Sequence, residues 1–248
     1  MFTRNQLKIF MILLMTLDHI PLFVGPELST FFHAITRCVA VFFAYMLVEG
    51  FHYTRSKSRY LSRLYFWSLI MAIGNQAINF ITQNPLYTVQ NNIFLTLAVA
   101  ATLLWLIDTI KTKTHPIQIV GLILIGLLLL AAGSFLTEGG IVVLPFTLIT
   151  YLTFGHTKRQ TISYLLLSLC FFLLFDLPGV IGSRTVYEFL MNFGFNSSWL
   201  FITVVPFLRL YNGELGTKSF FSKYLFYLYY PLHLWAIALA SYFLEISI

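Results

Sequence analysis

Apolar residues gather into runs about 20 long, the length that crosses a hydrocarbon core, and most charges fall between the runs. About nine runs can be drawn. They are Leu7–Val24, Phe31–Tyr53, Leu61–Ile81, Ile93–Ile110, Ile117–Phe135, Ile141–Phe154, Ile162–Ile181, Trp199–Tyr211 and Phe220–Tyr242. The sixth and eighth are shorter than the roughly 17 residues a full crossing needs. The pattern predicts an all-α, polytopic membrane helix bundle forming a single domain over residues 1–248. No internal repeat or low-complexity tract interrupts it.

The charges between runs orient the bundle. Arg4 and Lys8 flank the start of the first run, and Arg55, Lys57, Arg59 and Arg63 cluster where the second gives way to the third. Lys111 and Lys113, Lys158 and Arg159, and Arg209, Lys218 and Lys223 follow in every second connection after that. Of the 15 lysines and arginines, only Arg184 and the intrahelical Arg37 fall elsewhere. The positive-inside rule makes the basic side cytoplasmic, with the amino terminus inside and the carboxyl terminus outside. Residues 1–25 have the outline of a signal peptide, but Asp18 and His19 interrupt the apolar stretch and no small-residue cleavage site follows. The segment therefore reads as a retained first helix.

Composition agrees. Charged residues make up only 10% of the chain. Soluble domains carry about 25%, so this chain has too few to cover a water-facing surface. The net charge of +6 does not point to nucleic acid, because the basic residues are spread over short loops. Membrane lipids and cytosolic phosphate-bearing ligands are the expected anionic partners. Cys38 and Cys170 lie inside apolar runs and are expected to be small buried hydrophobes, with no disulfide framework.

Ionisable groups at membrane depth stand out, since each costs about 2.5–3.5 kcal/mol at a helix centre and needs a partner or a watery cavity. The first run carries Asp18 and His19, and the second carries Arg37 within pairing reach of Asp18. Adjacent helical residues point about 100° apart, so Asp18 and His19 are expected to face different surroundings. On the second helix, His33, Arg37, Tyr45, Glu49 and His52 share one side and end at the Arg55–Arg63 cluster. Such a stripe predicts a water-accessible path between the cationic mouth and an imidazole near the far side. In the last run, Tyr229 and Tyr230 sit four and three residues before His233, and Pro231 removes a backbone donor. Asn91 and Asn92 begin the fourth helix, Glu138 falls in an outer loop, and Asp176 lies near the outer end of the seventh helix. Plainer roles compete throughout. Terminal Tyr and Trp residues anchor at interfaces, the 55–63 cluster sets topology, and membrane histidines bond neighbouring helices. No phosphate-binding glycine loop, HExxH, GxSxG or metal-spaced Cys/His set is present, and no metal is expected.

Six segments, in order, resemble the TraX family. They are Leu-Met-Thr-Leu-Asp18-His19-Ile; Thr36-Arg37 with Phe42-Phe43-Ala and Glu49-Gly-Phe-His52-Tyr-Thr54; Tyr60-Leu-Ser-Arg63-Leu; Asn92-Ile-Phe-Leu-Thr-Leu; Leu210-Tyr-Asn-Gly-Glu214; and Phe226-Tyr-Leu-Tyr-Tyr230-Pro-Leu-His233-Leu. That family is named for a conjugation-plasmid protein that acetylates the amino terminus of pilin, and it is related to transmembrane acyltransferases using acyl-coenzyme A. The resemblance implies a bacterial cell-membrane acyltransferase with His19 catalytic, supported by Asp18 and Arg37. It implies Arg55, Lys57, Arg59 and Arg63 as holders of the acyl donor's phosphates. Beside it, the polar positions Tyr45, Glu49, His52, Asn92, Tyr230 and His233 are expected to line the cavity. Acyl-coenzyme A, acetyl in the simplest case, is the implied co-substrate. The acceptor (peptide amine, glycan or lipid-linked sugar), the oligomeric state and the choice between His19 as general base and as acyl carrier stay open. A transporter with a proton relay through Asp18, His19 and Glu49, and a noncatalytic membrane assembly factor, are the alternatives.

Overall fold

The computed structural model describes residues 1–216 and 220–244, and their side chains except those of 220–223. Lys218, and Lys223 in its side chain, lie outside the described residues. The helices are α1 (Arg4–Asp18), α2 (Pro26–Thr36), α3 (Cys38–Tyr53), α4 (Lys57–Thr82), α5 (Ile93–Lys111), α6 (Pro116–Leu136), α7 (Gly140–Leu152), α8 (Thr157–Phe171), α9 (Leu177–Ile181), α10 (Val186–Phe195), α11 (Val204–Leu210) and α12 (Phe220–Phe243). A π-turn, Phe172–Asp176, joins α8 to α9.

Each of the nine apolar runs falls on helix. Among the described residues, five helical stretches are long and apolar enough to cross a membrane: Pro26–Tyr53, Lys57–Thr82, Ile93–Lys111, Pro116–Leu136 and Thr157–Ile181. A sixth is made if Val186–Phe195 and Ser198–Leu210, bent by 60°, form one broken span. The exterior carries the same message. On α6, Ile117 is 82% exposed and Phe135 81%, with Leu128 and Leu136 close behind. Only lipid makes such exposure tolerable for a helix this apolar. The protein is a multi-pass membrane protein.

Several boundaries move for local reasons. The first helix ends at Asp18 rather than Val24, and a 3-10 turn, Pro21–Phe23, follows. Pro21 cannot donate to a helical carbonyl and disfavours helical backbone at Ile20. The second begins at Pro26 and is interrupted at Arg37, where the His33 carbonyl takes side-chain donors from Thr36 Oγ1 (3.0 Å) and Arg37 Nε (2.8 Å). The third begins at Lys57, so Lys57, Arg59 and Arg63 lie on a helix and not in a loop. Residues 182–198, which the apolar pattern leaves between runs, contain α10. Thr185 caps it by accepting from Glu188 N (3.1 Å), and the Glu188 carboxylate accepts from Arg184 N (2.7 Å). Such a cap satisfies one of the first-turn amides that the helix itself cannot. Cys38 is buried as expected, but Cys170 is exposed.

The chain forms two compact units. Unit 1 comprises Met1–Phe42, Ile73–Gln90 and Tyr164–Ile248, and unit 2 comprises Phe43–Ala72 and Asn91–Ser163. In unit 2, α5 is the buried element, with Phe94, Ala98, Ala100, Ala101 and Leu104 sealed from the exterior. Gly133 lets α6 approach closely: a β-carbon there would lie 2.8 Å from both Val99 Cγ1 and Leu144 Cδ1. Small residues serve this purpose between membrane helices. The turn into α7 places Gly139 at φ 62°, in the left-handed region. Glycine reaches that region without a steric cost. In unit 1, α1 packs against α2 and α12, and α2 against α10. A similar close approach fixes α12, since the aromatic edge of Trp235 lies over Gly74 while its Nε1 donates to Asn75 Oδ1 (2.9 Å).

Candidate functional site

Helix α1 ends on two chemically different groups. Asp18 is its last residue, and His19 caps it through a backbone bond to Thr16 O (3.1 Å). One helical step turns them to different partners.

Asp18 faces α2. Its Oδ2 accepts from Arg37 Nη2 at 2.6 Å, and its Oδ1 lies 3.1 Å from His33 Nδ1. Arg37 Nη2 is also 3.1 Å from that same nitrogen. A single ring nitrogen cannot both donate and accept. With a carboxylate alongside, His33 Nδ1 carries the proton and donates to Asp18, and its approach to Arg37 is packing. Arg37 is thus fastened twice, to the Asp18 carboxylate and to the His33 carbonyl. The far face of the His33 ring stacks on Phe195 of α10, 5.8 Å between centroids and 18° between planes. Glu27 of α2 accepts from the Tyr187 hydroxyl of α10 (3.0 Å), so α10 is joined to α2 at two levels.

His19 faces α12. Its ring centroid is 5.3 Å from that of His233. His233 lies nearly parallel to Tyr229, at 5.1 Å and 15°, and Tyr230 packs edge-on at 5.7 Å. Both Tyr230 and His233 are buried. His233 Nδ1 lies 2.9 Å from the Tyr229 carbonyl. A carbonyl can only accept, so Nδ1 bears the hydrogen. His233 Nε2 is buried with no hydrogen-bond partner among the described residues. Thr16 and Tyr229 clasp the two helices one turn away. The Thr16 hydroxyl donates to Ile12 O (3.1 Å), so the Tyr229 hydroxyl donates to Thr16 Oγ1 (2.7 Å). A hydroxyl has one hydrogen to give, which fixes that order.

Unit 2 holds the remaining candidates. Lys57 pairs with Asp108, whose other oxygen accepts from the Tyr151 hydroxyl. Lys111 lies 3.5 Å from Asp108 and 3.1 Å from the Tyr151 hydroxyl, so two ammonium groups share one carboxylate. The Lys57 ammonium also stands 4.8 Å from the centroid of Phe51, a cation–π contact. The Arg63 guanidinium is 5.3 Å from the centroid of Tyr60, and Arg55 and Arg59 are exposed. Glu49 is buried and Tyr45 half-buried, whereas His52 is exposed with its ring 4.6 Å from Phe154. Asn92 is the cap of α5, accepting from Leu95 N (3.2 Å) and donating to Ser68 O (3.0 Å). Asn91 donates to Glu138 Oε1 (2.9 Å).

Asp18, His19, Arg37, Tyr230 and His233 therefore gather in unit 1, and Tyr45, Glu49, His52, Arg55, Lys57, Arg59, Arg63 and Asn92 belong to unit 2. The sequence reading missed His33 as a partner of Asp18, although it stood on the polar stripe. It also missed Asp108, whose place three residues before Lys111 is a readable helical ion pair. Thr16 and Tyr229 gave no signal of their own.

These features define a polytopic membrane protein with a carboxylate–guanidinium–imidazole network beside a histidine pair. A family model described as "TraX protein" matches residues 3–241, and the chain belongs to the TraX family. It is 29% identical over 259 residues to a "Probable fimbrial assembly protein FimC, serogroup H1" of Dichelobacter nodosus, an alignment covering 98% of each chain. No solved structure matches it significantly.

Proposed function

We propose that this chain is an acyltransferase of the bacterial cell membrane. It moves an acyl group, acetyl in the simplest case, from acyl-coenzyme A to an amine or hydroxyl acceptor, with His19 as general base. The observation carrying this reading is the division of labour at the end of α1: Asp18 is consumed by Arg37 and His33, while its neighbour His19 is turned to a second imidazole. A neutral imidazole is the side chain best matched to taking a proton near neutral pH. Ionisable groups are retained at membrane depth chiefly for function. Arg37 and His33 keep the Asp18 charge in place beside the reacting region. In unit 2, Arg55, Lys57, Arg59 and Arg63 are our assignment for the donor's phosphates, which suit forked guanidinium donors. Tyr45, Glu49, His52 and Asn92 are our assignment for the polar lining. Resemblance to a family named for a pilin-acetylating protein supports an amine acceptor.

The name of the Dichelobacter relative favours a second reading, a membrane factor for fimbrial assembly without chemistry of its own. Incubating the purified protein in lipid vesicles with radiolabelled acetyl-coenzyme A separates the two. Acyl transfer predicts release of free thiol and departure of label from the donor. Thiol release no faster than in protein-free vesicles, with pilus assembly surviving His19→Ala in cells, establishes the assembly reading instead.

A further inference from the structure

We infer that His233 is the positioning residue for His19, an acceptor that fixes which nitrogen of the His19 ring is basic. The catalytic consequence rests on the acyltransferase reading; the pairing itself does not.

Four observations carry it. His233 Nδ1 is committed as a donor to the Tyr229 carbonyl at 2.9 Å, so Nε2 holds a lone pair. That Nε2 is buried and has no hydrogen-bond partner among the described residues, although His233 is only 8% exposed. A buried acceptor without a donor is unfavourable, so such atoms call for an explanation. A second imidazole, His19, packs beside the His233 ring with a centroid separation of 5.3 Å. Finally, Tyr229 stacks on His233 and its hydroxyl bonds Thr16, so α12 is held against α1 at this level. In the inferred pairing, one His19 N–H donates to His233 Nε2.

The chemistry follows the logic of a base oriented by a third group. With one nitrogen donating to His233, the other nitrogen of neutral His19 presents its lone pair. The acceptor's nitrogen or oxygen forms its bond to the thioester carbonyl carbon, and its proton passes to that lone pair. The carbon–sulfur bond breaks, and the leaving thiolate takes the proton back from the imidazolium. One acyl bond is made, one is broken, and His19 ends neutral. Because the Nδ1 hydrogen of His233 is held by a carbonyl, His233 acts only through His19.

The test uses the full chain in lipid vesicles, with acetyl-coenzyme A as donor probe and hydroxylamine as acceptor probe. His233→Ala is expected to lower kcat about tenfold to hundredfold, a fraction of what acid–base catalysis supplies. KM for acetyl-coenzyme A should stay within about twofold, because His233 does not bind the donor. His233→Gln, whose side-chain carbonyl can accept the same hydrogen bond, should restore most of kcat. Nitrogen-15 NMR of histidine-labelled protein is expected to show His233 protonated at Nδ1 only, and His19 losing its single tautomer in His233→Ala. Native kcat in His233→Ala, or a His233→Gln variant as slow as His233→Ala while equally stable in detergent, overturns the inference. A native protein that releases no thiol overturns the acyltransferase reading instead, and the NMR experiment then still decides the pairing: a mixed His19 tautomer in native protein refutes it.

Discussion

Replacing Arg37 by alanine is the sharpest structural perturbation of the ion network. Arg37 donates to Asp18 Oδ2 at 2.6 Å and to the His33 carbonyl at 2.8 Å. The carbonyl keeps Thr36 Oγ1 as a donor. Losing the Arg37 bond there costs about 1 kcal/mol or less. The carboxylate is the larger loss. Among the described residues it keeps only His33, and an ion left without its partner in a sealed interior costs about 3–5 kcal/mol. The side chains of Asp18 and Arg37 are 20% and 25% exposed. That partial access to solvent lowers the expected loss to roughly 2–3 kcal/mol. Lysine at 37 retains the charge but cannot span carboxylate and carbonyl together, so Arg37→Lys should lose about 1 kcal/mol. Asp18→Asn combined with Arg37→Ala should be less damaging than the sum of the two, with a coupling of about 1–2 kcal/mol. Reversible unfolding in mixed detergent micelles reads all four variants. Additive losses, or an Arg37→Ala variant within about 0.5 kcal/mol of the native protein, would refute the network as described.

Gly74→Ala should destabilise unit 1 by at least about 1–3 kcal/mol through overpacking. The new β-carbon would collide with the Trp235 ring and break the Trp235–Asn75 bond, so an unchanged unfolding midpoint would contradict that packing. Asp176 is buried in the π-turn and accepts from Trp199 N at 3.1 Å, at the bend between α10 and α11. Asp176→Ala should lose about 1–3 kcal/mol and Asp176→Asn less, since the amide oxygen still accepts. Equal losses in the same unfolding assay would show that the acceptor is not what matters there.

Helix was legible wherever an apolar run was long, because in lipid the backbone must satisfy itself within each segment. Boundaries were less so. Pro21 announced the early end of α1, and the Thr185-Val-Tyr-Glu188 spacing announced α10, yet both lay in stretches whose overall polarity suggested something else. The Asp18–Arg37 pairing followed from spacing, since short-looped helices are neighbours and a lone intramembrane charge needs an opposite one. His33 was harder to place, because Arg37 already answered the Asp18 charge and nothing in the spacing asked for a second partner. The contact between His19 and His233 joins opposite ends of the chain. Nothing in local periodicity encodes it, and only the packing of α1 on α12 reveals it.

The most direct measurement is the rate of free thiol release from acetyl-coenzyme A by the reconstituted protein, native against His19→Ala, with both confirmed folded by their unfolding midpoints. Catalysis at the end of α1 predicts release by the native chain and a fall of about 10²-fold or more in the variant. Equal rates in the two proteins would remove His19, and the site built around it, from the chemistry.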